Sequence, residues 1–128
     1  MISIFGGISS FENFNESLTY ILEHLDDISV FIGTHNEKSS YLAMDLMAQQ
    51  GISINDNRVW FGQLYGMSDH ISYNLAHLNY NVAKYVPFGP VKDVMPYLIR
   101  RAEENTSVAG QTNRELNLLK QERKRRKL

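Results

Sequence analysis

The 128-residue chain contains no cysteine. Disulfide frameworks, zinc–thiolate sites, iron–sulfur clusters and thiol nucleophiles are therefore excluded, and a reducing cytosol is permitted. No stretch approaches the roughly 18–20 consecutive apolar residues that span a bilayer. Neither standard glycine-rich phosphate loop occurs. The four histidines, His24, His35, His70 and His77, form no His-x-x-x-His pair, and no carboxylates interleave with them at ligand spacing. The expectation is no metal site. The first ten residues lack a basic segment, and their apolar run is broken by Gly6 and Gly7, which does not suit a secretory signal. Residues 1–11 are read as a frayed N-terminal segment.

What is present suits one globular domain: 43% apolar and 21% charged residues. The net charge is −1, but it is unevenly spread. Residues 111–128 hold seven Lys/Arg against two Glu, a balance of +5, and the remainder carries six against twelve, a balance of −6. The basic tail, 111–128, reads as a solvated, disordered end. No aromatic residue interleaves with its basic run, and the body is acidic, so nucleic acid is not expected as a partner.

Helical and extended patterns alternate along the chain. Phe14, Leu18, Ile21, Leu22 and Leu25 recur at helical spacing, with Asn13 and Glu16 placed as a capping box. Residues 28–32 read as a strand, followed by a helix from Glu37 to Gln50 capped by Asn36. Residues 59–64 form a second strand, and Ser68 or Asp69 caps a helix with Ile71, Leu75 and Leu78 on its apolar face. Residues 81–86 form a third strand. Pro90 opens a last helix that runs to about Asn105, with Pro96 expected to kink or divide it. Three strand–helix units argue for α/β architecture with parallel strands. Three parallel strands leave both edges open, and a (β/α)8 barrel needs about 250 residues, so more chain or a partner is implied.

Ligands in such folds gather at the carboxyl ends of the strands. Those ends carry Thr34-His35-Asn36, Gln63-Leu64-Tyr65-Gly66 and Tyr85-Val86-Pro87. Loops there are polar in any case, and His35 or Asn36 can be explained as helix caps. On the last helix, Tyr97, Arg100, Arg101 and Glu104 share one face at i, i+3, i+4 and i+7. That stripe either faces solvent as Arg–Glu pairs or lines a pocket. Paired guanidinium forks suit a carboxylate or phosphate.

Taken in order, Gly33-Thr34-His35-Asn36, Gln63-Leu64-Tyr65-Gly66-Met67, residues 85–90 (YVPFGP) and residues 97–105 (YLIRRAEEN) resemble the C-terminal part of proline dehydrogenase over residues 12–110. The resemblance implies the C-terminal portion, about three βα units, of a (β/α)8 TIM-like barrel with FAD at the strand ends. It implies that Arg100 and Arg101 hold the carboxylate of L-proline, and that Tyr85, Tyr97 and Leu64 wall the proline ring. It matches Thr34, His35, Asn36 and Gln63 to flavin-contacting positions, and Glu104 and Ser107 to positions near the cofactor. The implied reaction is hydride transfer from proline to flavin, giving 1-pyrroline-5-carboxylate, with electrons passed on to a quinone. A cytoplasmic protein with peripheral contact to the inner membrane through its basic tail follows from this. The family's earlier strands supply further residues around substrate and flavin, so the expectation is a fragment with half a pocket and little activity alone. The alternative is a non-catalytic remnant that folds only with a partner or by self-association.

Overall fold

The computed structural model describes residues 2–5, 11–106 and 109–127. The elements run β1 (Ile2–Phe5), α1 (Phe11–Glu23), β2 (Val30–Gly33), α2 (Glu37–Gln49), β3 (Val59–Leu64), α3 (Asp69–His77), β4 (Val82–Tyr85), α4 (Val91–Thr106) and α5 (Ala109–Arg125). All four strands are parallel and lie in sequential order, β1-β2-β3-β4. Strand, helix and next strand thus succeed one another around the sheet, as in a segment of a (β/α)8 barrel.

The middle strands explain the core. Their residues alternate between the two sheet faces. Val30 and Ile32 of β2 and Val59 and Phe61 of β3 are fully buried against one helical layer. That layer contributes Phe14, Leu18, Ile21 and Leu22 from α1, Ala43 and Met47 from α2, and Ile71 and Leu75 from α3. Phe31, Trp60 and Leu64 belong to the opposite face and are only half-buried. Among the described residues no helix covers that face with a comparable apolar layer. The helix-facing side is thus a closed core, and the other side is left for a site.

Gly62 sits on this second face beneath the Phe31 ring. A methyl group placed on Gly62 would lie 2.2 Å from both Cε1 and Cζ of Phe31. Gly62→Ala must push the ring aside, and overpacking of this kind costs about 1–3 kcal/mol. A lower urea midpoint is expected, with much of the loss recovered when Phe31→Ala is added to the same chain.

Local signals position α2 most clearly. Asn36 adopts extended backbone, and its Oδ1 accepts from Lys38 N at 2.8 Å and Ser39 N at 3.2 Å. Such a cap contributes about 1 kcal/mol. The start of β3 is tied to the end of α1 by Arg58, which donates to Asp56 and to Leu25 O at 3.2 Å.

Several expectations are corrected. Residues 2–5, expected as part of a frayed segment, form β1 and pair with β2 from Ile2↔Val30 to Phe5↔Gly33. The run Ile2-Ser3-Ile4-Phe5 has strand composition, and β2 would otherwise present an open edge. There are therefore four strands where three were expected. Helix α1 begins at Phe11, so Asn13 lies within it and does not cap it. Helix α4 starts one residue beyond Pro90 and continues through Pro96 undivided. Leu78 is the exposed C-cap of α3 and not part of its buried face.

The basic tail is also helical. Helix α5 packs against α3 and is tied to α2 by Arg114, whose Nη1 and Nη2 donate to Glu37 at 2.9 and 3.0 Å. The same carboxylate accepts from His70 Nε2 at 2.8 Å. Burial works to raise the Glu37 pKa, but the Arg114 and His70 hydrogen bonds outweigh it and hold the carboxyl below its ordinary range. Reading charge density alone misses this tertiary pairing.

Candidate functional site

The carboxyl end of β4 meets the middle of α4. Tyr85 closes β4, and its ring centroid lies 5.7 Å from that of Tyr97, with the planes tilted by 57°. One helical turn on, the Arg101 guanidinium lies 5.2 Å from the Tyr97 ring centroid. Arg101 Nη2 then meets Glu104 Oε1 at 2.8 Å. The i, i+4, i+7 spacing therefore builds a continuous row from Tyr85 to Glu104.

Two polar atoms in this row are buried without a hydrogen-bond partner: Tyr97 Oη and Arg101 Nε. Leaving a buried donor unpaired costs about 1–3 kcal/mol. A ligand carrying acceptor oxygens would remove that cost. Burial foremost, opposed by Arg101, raises the Tyr97 phenol above its usual pKa. The phenol is thus a neutral donor at any physiological pH. Arg100 lies on the exposed side of α4 and joins none of these contacts.

The strand-end loops form a second, more tightly bonded group. His35 Nδ1 lies 2.9 Å from Ser68 Oγ, and Leu64 N donates to His35 Nε2 at 3.4 Å. Lys84 Nζ meets Asp69 Oδ1 at 2.7 Å, donates to Leu64 O at 3.4 Å, and also donates to Met67 O. That lysine staples the loop after β3 onto β4. Burial, then the charges of Lys84 and Arg101, lower the His35 pKa from 6.5 to about 4. The sign follows from linkage. Between those values the unfolded chain binds a proton that the folded chain refuses, so the stability linked to His35 is fully present above pH 6.5. It is lost as pH falls through about 4.

The other expected flavin-contacting residues are bound into the framework. Thr34 Oγ1 accepts from Asn36 N at 3.1 Å, and Asn36 caps α2. Gln63 is 3% exposed; its Nε2 donates to Thr34 O at 3.3 Å and its Oε1 accepts from Ser72 Oγ at 2.7 Å. Leu64 is half-buried on the open face of the sheet. Ser107 lies outside the described residues. The structure therefore brings Tyr85, Tyr97, Arg101 and Glu104 together in one row, and His35 and Leu64 together beside Lys84. Ser68 was read in the sequence only as a candidate helix cap, and Lys84 was not singled out. A lysine two residues after Val82, and so on the same strand face, was the available signal for Lys84.

Among the described residues no cluster of three His, Asp or Glu side chains could hold a metal ion. No helix among them is long and apolar enough to cross a membrane.

The family profile described as proline dehydrogenase matches residues 9–114. Proline dehydrogenase 1, mitochondrial, from Bos taurus is 44% identical over 116 residues, covering 88% of this chain and 20% of that protein. The carbapenem antibiotics biosynthesis protein CarD from Pectobacterium carotovorum is 41% identical over 114 residues, covering 89% of this chain and 29% of that protein. The chain thus spans less than a third of the length of these relatives. Among solved structures, proline utilization A from Bdellovibrio bacteriovorus, inactivated by N-propargylglycine, superposes with a TM-score of 0.66 at 29% identity. That match covers 73% of this chain and 10% of the larger one. The sequential parallel βα units are the C-terminal part of a (β/α)8 barrel, and the chain belongs to the proline dehydrogenase family.

Proposed function

We propose that this chain provides the substrate-binding wall of an FAD-dependent proline dehydrogenase that oxidises L-proline to 1-pyrroline-5-carboxylate. The observation that carries the reading is the pair of buried, unpartnered atoms, Tyr97 Oη and Arg101 Nε, beside the Tyr85 ring. A carboxylate satisfies both donors, and the two phenol rings with Leu64 supply an apolar wall for a small saturated ring. Arg101 keeps Glu104 as its counter-ion on one nitrogen and offers a different nitrogen inward. Fixing the carboxylate and the ring together orients the substrate, and orientation contributes a large part of the rate in a two-reactant step.

The same observations fit a flavin. The orphaned donors call for acceptor atoms, and the sheet face above Phe31 and Gly62 offers a broad surface that no helix among the described residues covers. Thr34, His35, Asn36 and Gln63 would frame it from the strand ends, with Glu104 on the α4 side; Ser107, outside the described residues, belongs to this set by resemblance alone. When bound, the flavin supplies the two-electron acceptor that no side chain here can provide. His35, held uncharged, adds no positive charge beneath it. Arg100, on the outer side of α4, is the weaker member of the carboxylate pair. Onward transfer to a quinone, and contact of the basic end of α5 with an anionic membrane on its cytoplasmic side, belong to the same reading.

The visible spectrum of the purified protein, recorded before and after proline, is the test. Retained flavin absorbance that proline bleaches is the expected result. Protein that stays colourless after incubation with FAD would remove the cofactor from this proposal. Flavin that proline leaves unchanged would remove the substrate.

A second reading is favoured by the sheet itself. Among the described residues β1 and β4 each pair on one side only, and β4 has no fully buried residue. A chain that folds by pairing these edges with a partner, without catalysis, would elute as a multimer free of flavin.

A further inference from the structure

We infer that Ser68 is a positioning residue that accepts the Nδ1 proton of His35 and, together with the Leu64 N–H on Nε2, holds the ring in a single tautomer, so that this histidine serves the site as an uncharged ring and not as a proton carrier. Ser68 occupies the N-cap position of α3, where serine ordinarily bonds the first turn. Here it makes no side-chain cap bond. Its backbone lies in the left-handed region, φ 51° and ψ 39°, which is unfavourable for a residue with a Cβ. Both the missing cap and the strained backbone need an offsetting contact. Ser68 is buried, and its hydroxyl is placed 2.9 Å from His35 Nδ1.

The opposite side of the imidazole decides which atom donates. Leu64 N–H can only donate, so His35 Nε2, at 3.4 Å, must be the acceptor. The proton of the neutral ring is then on Nδ1, and Ser68 Oγ accepts it. If Nε2 carried the proton, it would point at another donor. The charged groups around the ring oppose a second proton. Lys84 on β4 and Arg101 on α4 are both cations, and each already has a carboxylate, Asp69 at 2.7 Å and Glu104 at 2.8 Å. A ring placed where the proposed cofactor and substrate meet therefore stays neutral near pH 7. That last step rests on the reading given under Proposed function; the Ser68–His35 pair does not.

The test needs neither flavin nor proline, so its failure is distinct from failure of that reading. Nitrogen NMR of the imidazoles, in protein labelled at histidine, reports the protonated nitrogen directly. Wild-type His35 is expected to show one fixed tautomer, Nδ1–H, across neutral pH. Ser68→Gly relieves the left-handed backbone and removes the hydroxyl, whereas Ser68→Ala removes the hydroxyl and keeps the strain. Both are expected to replace the single-tautomer signals with averaged ones, while their thermal midpoints move apart, glycine above alanine. A His35 that keeps the Nδ1–H signature in both variants would overturn the assignment, as would a wild-type ring that already shows mixed tautomers. Changes at His35 that follow the melting temperature, and not loss of the hydroxyl, would do the same.

Discussion

On the function proposed above, methionine in place of Arg101 is expected to raise the KM for proline by roughly two orders of magnitude. Truncating one partner of a buried, charge-assisted contact costs about 2–5 kcal/mol, and each 1.4 kcal/mol is about tenfold. Methionine keeps much of the aliphatic stem beside Tyr97, so the loss reports the guanidinium and not the packing. It also removes the Arg101 contact to Glu104 at 2.8 Å, leaving that carboxylate less neutralised near an incoming one. Steady-state reduction of a dye by proline measures the effect. Arg100→Met is the matched control, expected to change KM several-fold less because Arg100 stands on the exposed side of α4. Equal losses in the two variants would return Arg100 to the clamp, and a loss confined to Arg100→Met would reverse the assignment.

Phe61→Ala should be the most damaging change to stability, at about 3–5 kcal/mol. Phe61 is 0% exposed at the centre of β3 and packs against Tyr80 in a T-shaped contact, 5.6 Å between ring centroids. Its removal opens a cavity where β3 packs against α3, with strands on both sides holding the backbone in place. Little collapse is available to fill the gap. Urea denaturation monitored by circular dichroism gives the number. A midpoint within error of the parent chain would mean that the core is not organised around β3.

The two residues differ in how readily a sequence discloses them. Strand β3 was legible because Val59, Trp60 and Phe61 in succession favour extended backbone, and α2 because Asn36 caps it. The row Tyr97, Arg101, Glu104 was legible from helical spacing alone. Arg100 was not separable from Arg101 by that means. Neighbours on a helix point about 100° apart, so both cannot face one hollow equally, and only the packing of α4 decides which turns inward. Strand β1 was hidden because four residues beside two glycines carry too little pattern, and they extend only because β2 needs a partner. Ser68 and Lys84 were hidden for a different reason. Their roles exist only once loops after β2 and β3 are brought together, 33 residues apart for His35 and Ser68.

Helix α5 changes what its run of arginines and lysines can do in solution. Arg114 is spent on Glu37, Arg125 and Arg126 both reach Glu122, and the Arg126 guanidinium lies 4.9 Å from the Tyr73 ring centroid. The Glu122 carboxyl, held first by Arg125 and then by Arg126, is pulled down to about 2. A polyanion approaching this surface must displace carboxylates that are tethered to the same molecule at high effective concentration. Counterion release at Arg114, Arg125 and Arg126 would be correspondingly small, so contact of this helix with an anionic surface is weaker than a tally of seven basic residues suggests.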